Sequence, residues 1–326
     1  MKPAFSVIFL TTLIGAAQGL FLALFTAQSY VLFGLLPQQN EHSFYANGSL
    51  IALLLLIGGL IASFFHLGHP ERAWRAAAMW RTSWLSREVI ALPAFMAVVF
   101  LYAMTHLFGW KLELTTLESG VVIDASVVLG ALGTVLAFAL FICTAMIYAC
   151  LPFLREWHSP LTVINTILLG GASGFALAAA FAASSAPELM QFFAAWAFII
   201  TLLGFVGRCA SLLRNSRLKP KSTAQTAIGI KHPQIVQTSS GFLGGSFNTR
   251  EFFHGQPPSS LRSIKWGFIV AAFILPALLL AAGLWGNLPV LLPLAFAVQY
   301  PGLLAERWFF FAQANHPQNI YYQAVT

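Results

Sequence analysis

Eight apolar runs long enough to cross a bilayer constrain this chain more than anything else in it. They fall at about residues 6–33, 49–66, 88–108, 121–151, 161–184, 187–213, 264–283 and 288–312. A helix needs about 20 apolar residues to cross the hydrocarbon core, and these runs are 18 to 31 residues long. Strands of a membrane barrel would be shorter and alternate in polarity, whereas these runs are apolar on every face. Inside lipid a helix satisfies its own backbone polar groups. The expected fold is therefore all-α and integral to the membrane, a bundle of eight transmembrane helices forming a single polytopic domain over residues 1–326. Composition agrees: 58% of residues are hydrophobic and 8% charged, against about one quarter charged in soluble domains. The first run is too long for the apolar part of a signal peptide and lacks a clear small-x-small cleavage site, so it is read as a retained span.

The charges give an orientation. Sixteen of the 17 Lys and Arg fall on one side of an eight-span layout, with only Lys111 opposite. The larger groups are Arg72, Arg75, Arg81 and Arg87 after the second run and nine residues assigned between the sixth and seventh. By the positive-inside rule this predicts cytoplasmic N- and C-termini in a bacterial inner membrane. The net charge of +7 is thus loop charge facing lipid headgroups, and nucleic acid is not an expected partner.

Ionisable groups at the ends of spans are expensive and need explaining. His66 closes the second run and Glu88 opens the third, so both reach the same membrane face. A quinone ring needs hydrogen-bond partners for two oxygens, a route for two protons and access from lipid. Histidine titrates near neutrality and a partly buried glutamate is shifted toward that range, which suits both to relay protons. Arg72, Arg75, Arg81 and Arg87 can stabilise negative charge on a reduced quinone or bind a protein partner. The competing reading is ordinary interfacial anchoring by an Arg- and Trp-rich loop. Gln18, an amide in the middle of the first run, either faces a polar pocket or is glue between helices, and Asn165 has the same ambiguity. Glu306-Arg307 reads as a self-neutralising interfacial pair, and Asp124 and Glu188 as solvated groups at the opposite face.

Other redox groups fit poorly. The eight histidines offer no pair on facing helices at one depth beyond a weak His66 with His158, and the three cysteines show no CxxC spacing. Neither haem nor an iron-sulphur cluster is expected in this chain, so electrons must arrive from another subunit. Small-residue surfaces at Gly15-x-x-x-Gly19 and Gly170-Gly171-Ala172-Ser173-Gly174 offer close helix packing.

The only long hydrophilic stretch, about residues 214–262, is too poor in apolar residues for its own core. It carries Gly244-Gly245-Ser246-Phe247-Asn248-Thr249-Arg250-Glu251-Phe252-Phe253-His254. Aromatic residues such as Phe242, Phe247, Phe252 and Phe253 are costly in water, so the stretch reads as a docking surface for a cytoplasmic partner or, alternatively, a flexible connector. Phe247, Asn248, Arg250, Glu251, Phe252, Phe253 and His254, with Arg75, are the candidate docking residues.

The block His66-Leu67-Gly68 with Pro70, Arg72-Ala73 and Ser86-x-Glu88 resembles the membrane anchor subunits of dimethyl sulfoxide reductase, the DmsC family. The eight-run plan, Gln18 and the Glu306-Arg307 ending are also similar, so the resemblance covers nearly the whole chain. Its implication is an anchor for a molybdopterin catalytic subunit and an iron-sulphur subunit that exchanges electrons with membrane quinone, ubiquinone or menaquinone, without haem. His66 and Glu88 match the family's implicated His and Glu, and Gln18, Arg72, Arg81, Trp84, Ser86 and Arg87 complete the expected quinone surroundings. The long sixth loop and the cytoplasmic placement of the basic loops are more similar to the sulfite-oxidising branch, which implies electron flow from cytoplasmic sulfite to quinone. A quinol-oxidising reductase running the other way stays open at this point. So does, from a different class, an ion-coupled transporter, although no internal repeat is evident.

Overall fold

A computed structural model describes residues 4–110, 112–116, 122–220, 222–238 and 258–321. Of the candidate docking set, Phe247, Asn248, Arg250, Glu251, Phe252, Phe253 and His254 lie outside the described residues, as do Phe242, Lys2, Lys111 and Lys221.

Among the described residues the fold is all-α apart from one hairpin. Helix α1 spans Phe5–Leu32, and a π turn at Glu41–Ala46 leads into α2, Asn47–Phe64. A 3-10 segment, Pro70–Met79, precedes α3, Trp84–Phe108. The antiparallel strands β1, Glu113–Thr116, and β2, Val122–Asp124, connect α3 to α4, Ala125–Ala149. Helices α5, Pro160–Ser185, and α6, Met190–Ser216, follow. After the short α7, Ala224–Ile228, α8, Pro258–Ile269, runs through a π turn at Val270–Ile274 into α9, Leu275–Trp285. The last long helix is α10, Leu291–Ala312.

Local signals set the helix ends. Ser83, Asp124 and Ser159 cap α3, α4 and α5, each accepting a backbone N–H of its first turn. Pro160 follows its cap at the first helical position, where no N–H is needed. Gly109 ends α3 at φ 61°, a conformation that an L side chain resists. Asp124, expected as a solvated residue, is instead this cap and also accepts from Ser126 at 2.7 Å.

Among the described residues, seven helical segments are long and apolar enough to cross a membrane, including α1, α3, α4, α5 and the combined Ser259–Trp285. Helix α10 has 22 residues, the length of a span, but Gln299, Tyr300, Glu306 and Arg307 dilute its hydropathy. These side chains are largely turned inward: Gln299 and Glu306 are 1% and 3% exposed. Gln299 donates to Thr201 on α6 at 3.0 Å and to the Ala272 carbonyl at 3.3 Å. That carbonyl stands four residues before Pro276, which has no N–H to return. The π turn and the Gln299 amide together absorb this loss.

Helices α1 and α5 form the centre of the bundle. They cross on glycine: a Cβ at Gly19 would lie 2.2 Å from the Gly170 carbonyl oxygen, and one at Gly174 would lie 2.1 Å from the Gly19 carbonyl carbon. The two small-residue surfaces seen in the sequence therefore pack on each other. Their close approach brings α1 and α5 against α4 and α10, where the polar residues gather.

Candidate functional site

The segment between α2 and α3 behaves as an interfacial loop. His66 lies in an exposed turn after α2. Partial burial holds its imidazole below the ordinary histidine value, opposed by a hydrogen bond with the Ala62 backbone, so the neutral ring dominates at neutral pH. Arg72 sits 3.6 Å from Glu71, both well exposed. Arg75 and Arg81 lie over the rings of Trp74 and Trp80 at 5.6 and 5.3 Å. Arg87 stacks on Trp84 at 4.2 Å and donates to the Trp80 and Arg81 carbonyls at 2.9 and 2.8 Å. Its donors thus close the turn that starts α3. Ser86 is buried, and its backbone N–H donates to the Ser83 hydroxyl at 3.3 Å.

Glu88, one turn further along α3, points into the bundle. The Thr144 hydroxyl on α4 donates to its Oε1. Both line a polar cavity of about 30 Å³ between α1, α3, α4, α5 and α10, together with Thr12, Gln18, Glu306 and Arg307. That volume holds about two waters. Gln18 meets both descriptions given to it, lining the cavity while its Nε2 donates to the Ala137 carbonyl at 2.7 Å.

The structure therefore brings Gln18 and Glu88 into one cavity. His66, Arg72, Arg81, Trp84, Ser86 and Arg87 are not among its walls. No hydrogen bond or ion pair joins His66 to Glu88 among the described residues.

A second charged group escaped the sequence reading. Arg208 was assigned to the loop after the sixth run, yet it lies within α6 and is 3% exposed. Its Nε sits 2.7 Å from Glu306 Oε1, and its guanidinium stands 5.5 and 5.8 Å from the Phe268 and Phe309 rings. The expected Glu306-Arg307 pair is thus corrected. Adjacent helical residues point about 100° apart and do not face each other, so Glu306 reaches across to α6 while Arg307 turns over the Phe310 ring at 5.0 Å. An arginine inside an apolar run was the signal available for this pair. The partner on α10 was not legible, because nothing local links the two helices.

Residues 1–236 match the family described as DMSO reductase anchor subunit (DmsC). Over 328 residues, covering all of both chains, the sequence is 57% identical to a sulfite dehydrogenase subunit of Allochromatium vinosum. A bundle of membrane-length helices accords with an anchor subunit, and the chain belongs to the DMSO reductase anchor subunit (DmsC) family.

Proposed function

We propose that this subunit anchors a sulfite-oxidising molybdoenzyme to the bacterial inner membrane and passes its electrons to quinone at Glu88. In this reading α10 is the eighth span, both termini are cytoplasmic, and the basic face receives an iron-sulphur subunit that carries the molybdopterin catalytic subunit. The identity with a sulfite dehydrogenase subunit supports the choice of sulfite.

The observation that carries the quinone reading is the cavity at Glu88. Glu88 is half-buried as a residue; its carboxyl group is hydrogen-bonded by Thr144 and shares its cavity with Arg307, whose Nε has no hydrogen-bond partner among the described residues. The carboxyl group suits a quinone oxygen that gains negative charge and then a proton, and the Arg307 guanidinium behind it in the cavity favours that negative charge. A volume of about 30 Å³ admits only water, so the ring would sit outside it, against Glu88. Bound quinone would supply the two-electron acceptor. Glu88 would give it a proton, Thr144 would orient the carboxyl group, and His66, outside the cavity walls, would relay protons at the membrane face.

The test is sulfite-dependent reduction of a short-chain quinone analogue in membranes holding the whole complex. Glu88→Gln and His66→Ala should each slow it by about tenfold or more, while sulfite oxidation coupled to a soluble dye stays intact. Unchanged quinone kinetics in both variants would refute the site. Quinol-driven reduction of a sulfoxide, with no sulfite activity, would reverse the direction.

A further inference from the structure

Glu306 and Arg307 form part of the wall between the Glu88 cavity and a second one. Those two residues, with Thr166 and Leu169, wall this smaller cavity of about 10 Å³, which is bounded further out by Asn165, Arg208 and Glu156. Besides Arg208 Nε, which the ion pair with Glu306 engages, three buried polar atoms around it lack a hydrogen-bond partner among the described residues: Asn165 Oδ1, Arg208 Nη2 and Arg307 Nε. One acceptor and two donors facing a space of this size are what a buried water satisfies, since such waters make about three hydrogen bonds. Glu156 in turn lines an open cleft of about 490 Å³ with Arg155, Lys219 and His316. It stands where the outer cleft and the inner cavities meet. Its position is fixed by its neighbour Trp157, whose indole N–H donates to the Phe310 carbonyl of α10 at 2.8 Å.

We propose that Glu156, the Arg208–Glu306 pair and the waters between them form a proton path from the face bearing the basic loops to Glu88. The proposal rests on the quinone reading above. Each quinone reduced takes two electrons from the partner's iron-sulphur subunit and two protons, giving the quinol, and this path supplies the protons to the Glu88 carboxylate after each has left it. Glu156 collects protons at the cleft, where Arg155, Arg214, Lys219 and His316 are the charged and titratable groups around it, with Arg208, Glu306 and Arg307 on its inner side. Partial burial raises its carboxyl group above the ordinary range, against the hydrogen bonds and arginines that lower it, so it gains and loses protons closer to neutral pH than a surface carboxylate. Arg208 and Arg307 hold the inner waters and Glu306 offers the acceptor between them. Charge near the middle of a span marks transport of substrate or ion. Here Arg208 lies eight residues before the end of α6, about 12 Å in at 1.5 Å per residue, which suits a route from one face to a site near that face.

The experiment uses membranes with the full complex and compares Glu156→Gln, Glu156→Asp, Thr166→Val and Glu88→Gln in sulfite-dependent quinone reduction, from about pH 6 to about pH 9 in H2O and D2O. Glu156→Gln should lose roughly tenfold or more in rate, most at the alkaline end where protons are scarce, with a larger solvent isotope effect. Glu156→Asp should recover much of the rate, and Thr166→Val should show the same isotope signature by drying the junction between the inner cavities. Dye-coupled sulfite oxidation should not change. Wild-type rate, pH profile and isotope effect in Glu156→Gln, beside a slow Glu88→Gln, would overturn the path and leave the quinone site standing. A slower Glu156→Gln with an unaltered pH profile and isotope effect would mean that the waters and Glu156 are structural only, which also overturns it. If Glu88→Gln is itself unimpaired, the quinone reading has failed and the path falls with it.

Discussion

Replacing Glu306 by leucine tests whether the Arg208–Glu306 pair holds α6 to α10. The two groups are 2.7 Å apart and each is 3% exposed, so the substitution strands a guanidinium away from water. Removing one partner of a buried pair costs about 3–5 kcal/mol, roughly two to four powers of ten in the folding equilibrium. The adjacent Arg307 repels the stranded charge, whereas water in the neighbouring cavity relieves part of it, and these act in opposite directions. Exchanging both partners for apolar residues, Glu306→Leu with Arg208→Met, removes the stranded charge and should recover most of the loss, because buried ion pairs are often neutral or unfavourable against well-packed apolar substitutes. The measurement is thermal unfolding of the purified complex in detergent, with the double-mutant cycle giving the coupling. A double variant no more stable than Glu306→Leu alone would refute the assignment of the loss to an unpaired Arg208.

Gly19→Ala should destabilise the bundle by about 1–3 kcal/mol or more, because its Cβ would meet the Gly170 carbonyl oxygen at 2.2 Å; Gly58→Ala, whose Cβ would find only Leu13 Cδ1 at 3.6 Å, should be tolerated. Equal thermal stability in the two variants would contradict the glycine crossing. Glu156→Gln should be more stable than the wild type at neutral and alkaline pH. The folded-state carboxyl group of Glu156 titrates above its unfolded value because of burial, so the native state binds the proton more tightly and loses stability as pH rises from the ordinary carboxylate range through the folded value. The advantage of the variant should vanish in acid, and a pH-independent difference in melting temperature would show that burial of this carboxyl group is not its source.

The secondary structure was legible because its signals are local. Apolar runs of membrane length became helices, and Ser83, Ser159 and Gly109 mark helix ends with residues whose side chains or conformational freedom suit those positions. Boundaries moved where charged residues continue a helix beyond its apolar stretch: α8 begins at Pro258 and takes in Arg262, which hydropathy alone left in the loop before the seventh run. The hairpin of β1 and β2 was missed, since two segments of four and three residues with no clear alternation carry little pattern. At the candidate site, Glu88 and Gln18 were found because a polar side chain in an apolar run stands out. The arginines between α2 and α3 stood out equally, yet in the structure their nearest partners are aromatic rings, a neighbouring carboxylate and loop carbonyls.

What the sequence alone determined is that this is a membrane bundle with polar residues concentrated toward one set of helix ends, because hydropathy, charge placement and caps act over a few residues of chain. Only the tertiary structure decided which of those polar groups meet. Thr144 came to Glu88, Arg208 to Glu306 and Glu156 to the same chain of cavities through the crossing of α1 on α5 and the packing of α10 against both. In lipid each such group must find a partner or a water inside the protein. The choice of partner depends on which helices are neighbours, and no single run of residues carries that information.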